Sequence, residues 1–249
     1  MPLVGTRSLS TLASAAPVVP SLQVDRWELP NARILQLMYE IDATAMQSLI
    51  PPALHPTIPP TLVFTVTSFP ESPVGAFVLG EVRVGARSGA RPRGLLLQAY
   101  VSTPEAAREL ANRWGYPVEV GECRLEKRYD RIHASVIHGS REILTMTLLN
   151  PEPISGNDVQ YLASLNLARI TRDGTEQLRL IQVDPDYTFK AADRGQPQIE
   201  AFDAAAWRLD GAELNHPVSA SCCVADIMMP ELRYLVDPDK PPLAAVERL

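Results

Sequence analysis

The chain has 249 residues, 46% apolar and 21% charged, enough for one large domain with a substantial core. Its 23 basic and 29 acidic residues leave a formal charge of −6, which argues against nucleic-acid and anionic-membrane partners. No apolar run approaches the roughly 18–20 residues that span a bilayer, and 3 cysteines without a CxxC pair point to reduced thiols and a cytoplasmic setting.

Residues 1–24 lack acidic groups, carry Arg7, and have short apolar stretches broken by Pro17 and Pro20. They are expected to form a flexible or loosely docked N-terminal arm. Residues 33–41, RILQLMYEI, read as a strand. Asp42 then caps a short helix, ATAMQSLI, which Pro51 and Pro52 stop. Residues 61–69, TLVFTVTSF, form a β-branched strand between prolines. In residues 76–84, AFVLGEVRV, alternation places Val78, Gly80, Val82 and Val84 on one face. Phe77, Leu79, Glu81 and Arg83 take the other. The arginine-bearing stretch 85–94, GARSGARPRG, reads as a polar hairpin loop. Residues 94–101 read as the next strand.

Thr103, Pro104 and Glu105 open a helix well: an N-cap hydroxyl, a proline at the first position, an acid near the positive dipole end. Gly115 ends it, and Trp114-Gly115-Tyr116-Pro117 turns the chain sharply into new strand sequence. Two or three strands are expected in 119–149, and more near 159–171, 176–190, 198–209 and 217–228. Residues 239–249 are rich in proline and charge and are expected to be a loose tail. About ten strands and two short helices make a mostly β chain. Residues 25–238 then form a single domain, a closed barrel or a sandwich, with a small-molecule cavity a natural consequence of a large barrel.

Nucleotide-binding GxGxxG and Walker A patterns are absent, as is the GxSxG elbow of serine hydrolases. His55, His133, His138 and His216 form neither HExxH nor a Cys/His finger spacing. No metal or other cofactor is expected.

The order of elements nevertheless resembles the acetoacetate decarboxylase-like family. MYEIDATAMQSLIPPALHP is similar to that family's opening strand and helix with its proline-rich end. FTVTSFPESPVGAF resembles its strand followed by an SPFGPY-type turn. LLLQAYVSTPEAARELANRWGYP resembles its strand, helix and WGFP-like turn, and HPVSASCCVADIMMPE its late strand. The resemblance implies a β-barrel enclosing a small-molecule cavity and self-association into a homo-oligomer. In active members a lysine directly after the WGFP-like turn forms a Schiff base with a ketone. A second lysine beside it lowers its pKa.

Here those two positions are Val118 and Glu119. Valine forms no imine, and the chain's lysines are only Lys127, Lys190 and Lys240. The family's acid after the GPY-like turn falls on Leu79, and its arginine in the opening strand falls on Glu40. The resemblance therefore implies the cavity without its parent chemistry. Acid–base lyase, cyclase, dehydratase or isomerase chemistry on a carbonyl or polyketide-like metabolite is the expectation. A non-catalytic ligand-binding barrel and a decarboxylase with a relocated lysine are the alternatives. Glu119 and Glu81 are the candidate proton carriers. Glu119 can instead be an exposed strand residue, and Glu81 can simply pair with Arg83. Val118, Leu79, Phe77, Glu40, Tyr100, Trp114 and Tyr116 are the candidate substrate-binding positions.

Overall fold

A computed structural model of the chain describes residues 3–89, 91–172, 174–242 and 244–249. Ala90, within the arginine-bearing stretch 85–94, and the first two residues of the N-terminal segment lie outside the described residues. The chain begins with helix α1 (Leu9–Ala13), strands β1 (Val18–Val19) and β2 (Trp27–Glu40), and helix α2 (Ala43–Leu49). Strands β3 (His55–Pro56), β4 (Thr61–Phe69), β5 (Phe77–Ser88) and β6 (Arg91–Val101) follow, then helix α3 (Pro104–Trp114). After it come β7 (Val118–Val120), β8 (Glu122–Lys127), β9 (Arg131–His138) and β10 (Arg141–Ile154). The rest is β11 (Ser164–Arg172), β12 (Thr175–Val183), β13 (Asp186–Phe202), β14 (Pro217–Met229), β15 (Tyr234–Val236) and β16 (Val246–Arg248).

The local signals act as their chemistry dictates. The Asp42 carboxylate accepts hydrogen bonds from the Thr44 and Ala45 N–H groups at 2.8 and 3.1 Å, capping α2. The Thr103 hydroxyl accepts from Ala106 N–H at 3.4 Å, and Gly115 closes α3 in the left-handed conformation at φ 66°. A Cβ on Gly115 would also sit 2.8 Å from Ala168 Cβ, so only glycine fits this turn. Among the described residues three α-helices are present where two or more were expected, and α1 near the start of the chain is the one the sequence did not place. The strands expected at 176–190 and 198–209 are redrawn as β12 and one long β13. The polar run DRGQPQIE within β13 has little strand propensity, but it pairs with β14 on one side and β10 on the other. That tertiary pairing overrides the propensity.

All the strands belong to one sheet, whose main path runs β16-β15-β12-β11-β6-β5-β4-β2-β14-β13-β10-β9-β8. Among the described residues the sheet does not close: no ladder joins β8 to β16. It curls instead, so that β8 packs over β4, β5 and β6. Inside the curl lies one core, with Leu35, Phe64, Val82, Val136 and Trp207. Gly80 is required there, since a Cβ would stand 2.7 Å from Val136 Cγ2. A second core covers the outer face beneath α3, with Phe77, Leu79, Leu110, Trp114 and Ile227. The alternation read in β5 divides between these cores. Val82 and Val84 point into the first, Phe77 and Leu79 into the second.

Both termini are packed. Val18 and Val19 pair in parallel with β11, Leu12 and Val19 are buried, and Arg7 Nη1 donates to the Arg208 carbonyl at 2.9 Å. The described part of the N-terminal segment is thus laid against the sheet rather than extended as an arm. The 239–249 stretch likewise returns as β16, antiparallel to β15, and Lys240 Nζ lies 3.2 Å from both Asp237 and Glu247. Charge that reads as a loose tail in sequence is an ion-pair cluster in three dimensions. The three cysteines are free and buried. Among the described residues no helix is long and apolar enough to cross a membrane.

Candidate active-site cavity

Small polar and aromatic residues on the outer face of β4 and β5 leave a gap under α3. The gap is narrow, with a water-accessible volume of about 40 Å3. Its apolar wall is Leu29, Ile34, Phe69, Phe77, Leu79 and Leu110, extended by Ile227 and Met229. Asn31, at φ 56°, bulges β2 so that Leu29 and Ile34 reach the same side. Its polar end is Glu81, Arg83, Thr65, Tyr116, Tyr161 and Tyr187. Thr65 stands directly across the ladder from Glu81.

Glu81 and Arg83 are both buried, at 3% and 7% exposure. Arg83 Nη2 donates to both Glu81 carboxylate oxygens, at 2.8 and 2.7 Å. Arg83 Nη1 reaches only the Leu162 carbonyl, at 3.4 Å. A buried charge without a partner is expensive, so each of these residues makes the other tolerable. Burial works against the Arg83 charge, but Glu81 holds its pKa above the ordinary arginine value. Burial pushes the Tyr116 phenol well above its ordinary range, and the Glu81 charge adds to that. Burial likewise pushes Tyr187 up to about 12, with Arg83 pulling the other way. The Tyr116 and Tyr187 phenols therefore stay neutral at pH 7, as hydrogen-bond donors rather than acids.

Several buried polar atoms here have no hydrogen-bond partner in the protein: Arg83 Nε, Thr65 Oγ1 and the Tyr161 hydroxyl. The Tyr161 ring packs on Tyr187, centroids 4.9 Å apart, and its hydroxyl lies beside the Cys223 thiol without satisfying hydrogen-bond geometry.

Of the sequence candidates, Glu81, Leu79, Phe77 and Tyr116 line this cavity. The others do not. Val118 packs, half-buried, on the apolar cluster around the cavity without lining it. Glu119, next along β7, is turned the other way by the period of two. It is exposed, accepts from Gln98 Nε2 at 3.2 Å and stands 3.4 Å from His138 Nε2. Tyr100 belongs to the inner core, where its hydroxyl donates to the Ala206 carbonyl at 2.9 Å. Trp114 is fully buried, edge-on to Trp27, with its Nε1–H on the Pro230 carbonyl at 2.9 Å. Glu40 ends β2, on the order of 20 Å beyond Ile34 at the usual strand rise, and does not line the cavity. Thr65 and Thr67 were readable as polar breaks on one face of TLVFTVTSF. Tyr161 and Tyr187 carried no sequence signal, because they reach the cavity from a loop and from the start of a long strand.

No lysine lines the cavity. Lys127 Nζ pairs with Asp193 at 2.6 Å, Lys190 with Asp226 at 2.6 Å, and Lys240 with Asp237 and Glu247. All three are thus committed to carboxylates elsewhere.

The family model described as acetoacetate decarboxylase matches residues 13–238. No curated protein matches the sequence closely enough to count as a relative. Among solved structures, an acetoacetate decarboxylase from Legionella pneumophila superposes with a TM-score of 0.72 at 21% identity, over 88% of each chain. The enduracididine biosynthesis enzyme MppR, complexed with the condensation product of pyruvate and imidazole 4-carboxaldehyde, gives 0.70 at 13% identity, over 88% of this chain and 93% of that one. An acetoacetate decarboxylase-like enzyme from Sphingomonas wittichii RW1 gives 0.66 at 15% identity, over 85% and 94%. At these identities the likeness is one of fold.

Proposed function

Because this chain belongs to the acetoacetate decarboxylase family, we propose that it is a small-molecule enzyme using the family's fold without Schiff-base chemistry. The observation that carries this reading is a cavity with a buried Glu81–Arg83 pair and no lysine. An amine nucleophile has no candidate there. A carboxylate beside a bound carbonyl compound does: Glu81 takes a proton from the carbon next to the carbonyl, and the electron pair moves onto the carbonyl oxygen. Donors fixed in a water-poor site stabilise the resulting enolate. Protonated Glu81 then returns the proton to the same or a neighbouring carbon, or the enolate expels a leaving group. Isomerisation, dehydration and cyclisation are all outcomes of that one step, and the lining shape selects among them.

The test needs no knowledge of the substrate. Acetophenone, an aryl ketone with exchangeable protons on its methyl group, is the probe. In deuterium oxide the protein is expected to accelerate deuterium uptake at that methyl, followed by NMR, and Glu81→Gln to lose the acceleration. Exchange by the Glu81→Gln variant at the unaltered rate would show that Glu81 is not the base.

A second reading has its own observation. Both Glu81 oxygens are occupied by Arg83, which suits a ligand-binding protein whose ion pair only shapes the cavity. That reading expects saturable binding of acetophenone with no exchange above background.

A further inference from the structure

The polar end of the cavity has an internal asymmetry. Arg83 gives its Nη2 donors to Glu81, so its charge is already balanced within the protein. Its Nε–H stays buried and unpartnered, and so do Thr65 Oγ1 and the Tyr161 hydroxyl. Buried polar groups in native proteins are almost always paired, with protein, water or ligand. Three of the twelve unpartnered buried side-chain atoms among the described residues sit on residues that line this one cavity, and a ligand that draws those side chains towards it pairs them. The charged and titratable groups facing Arg83 are Glu81, Tyr116 and Tyr187, with Asp184 acting on Tyr187.

We propose that the cavity selects an electrically neutral oxygen ligand, a ketone, enol or phenol bearing a second polar group, and rejects the corresponding carboxylate. The inference rests on the same site as the acid–base reading and deepens it by naming the ligand class. The ligand's carbonyl or enol oxygen accepts from Arg83 Nε–H, and its second polar group meets Thr65 Oγ1 and the Tyr161 hydroxyl. A ligand carboxylate would put two anions against one buried guanidinium and leave the site with a net negative charge. That is costly where solvent is excluded. The orphans therefore ask for dipoles, because Arg83, the one basic residue among the described residues lining the cavity, is spent on Glu81.

The experiment is calorimetric titration at pH 7 with 4-oxo-4-phenylbutanamide and its isosteric carboxylate, 3-benzoylpropionate. The two share shape and aryl ketone and differ by one charge. The amide is expected to bind at least about tenfold tighter, and the preference to shrink or invert in Glu81→Gln, which leaves Arg83 uncompensated. Should that variant not fold, Thr65→Val and Tyr161→Phe carry the test. Neither hydroxyl has a protein partner to lose, so both variants are expected to fold, and each to weaken the amide severalfold. Equal or tighter carboxylate binding by the wild-type protein, binding of neither compound, or unchanged amide affinity in both hydroxyl variants would overturn the proposal. Tight amide binding without deuterium exchange would leave it standing while removing the catalytic reading. Exchange with a carboxylate preference would do the reverse.

Discussion

Glu81 and Arg83 show how two residues on one strand face set both stability and chemistry. Their separation by two positions put them on one face in sequence, and the structure adds that they bond to each other in a buried place. Removing only one partner strands a charge, so Glu81→Leu is expected to cost about 3–5 kcal/mol in urea unfolding. The double change Glu81→Leu with Arg83→Met removes both charges and is expected to be neutral or stabilising by about 1–4 kcal/mol. A double variant no better than the single one would mean that the pair is not the buried unit described. Tyr161→Phe deletes a buried hydroxyl without a partner, and the same measurement is expected to show no loss of stability. Glu81 and Phe77 were legible because period-two alternation is a local property. Glu119 was legible only as a choice between two faces. Its ladder partner Tyr100 is what puts it on the face away from the cavity.

Helix α3 and the turn after it decide where the cavity lies. Thr103, Pro104 and Gly115 fix the helix ends by capping chemistry that sequence alone displays. Leu110 then roofs the cavity, and Tyr116 enters it directly after the glycine. Gly115→Ala would force a left-handed alanine and press its Cβ against Ala168 and Ile181. It is expected to lower stability by about 1–2 kcal/mol from backbone strain alone, with more from the clash. It is also expected to weaken acetophenone binding by displacing Tyr116. A thermally unaltered Gly115→Ala protein would contradict the role given to this turn. The cap of α2 is further from the site, so Asp42→Ala is expected to cost about 1 kcal/mol with ligand affinity unchanged. Strand β13 was not legible as one element, since its pairing on two sides is a long-range fact.

Across the whole molecule, the sequence pattern carried the mostly β composition and the family's order of elements. It could not carry closure. Whether a sheet meets itself depends on the summed twist and bulges of many strands, and here it curls without joining. The curl makes two large cores and a small cluster of Val159, Ala192 and Cys223, and the cavity lies in the outer core, under α3, rather than inside a barrel. The phenols of Tyr100 and Tyr187 are pushed up to about 12, chiefly by burial. An acid whose folded pKa is raised stays protonated while its unfolded counterpart ionises. Stability is therefore full below pH 10 and falls as pH rises from about 10 towards 12. The part of the tyrosinate absorbance that Tyr100→Phe and Tyr187→Phe remove is expected to rise together with loss of near-ultraviolet circular dichroism, and its rise well before unfolding would contradict the burial described. The measurement closest to the central claim is borohydride reduction in the presence of acetone, read by intact mass. A cavity whose chemistry rests on Glu81 and Arg83, with every lysine paired elsewhere, predicts no stoichiometric adduct. One adduct per chain, formed at neutral pH, would contradict the account and return the protein to imine chemistry.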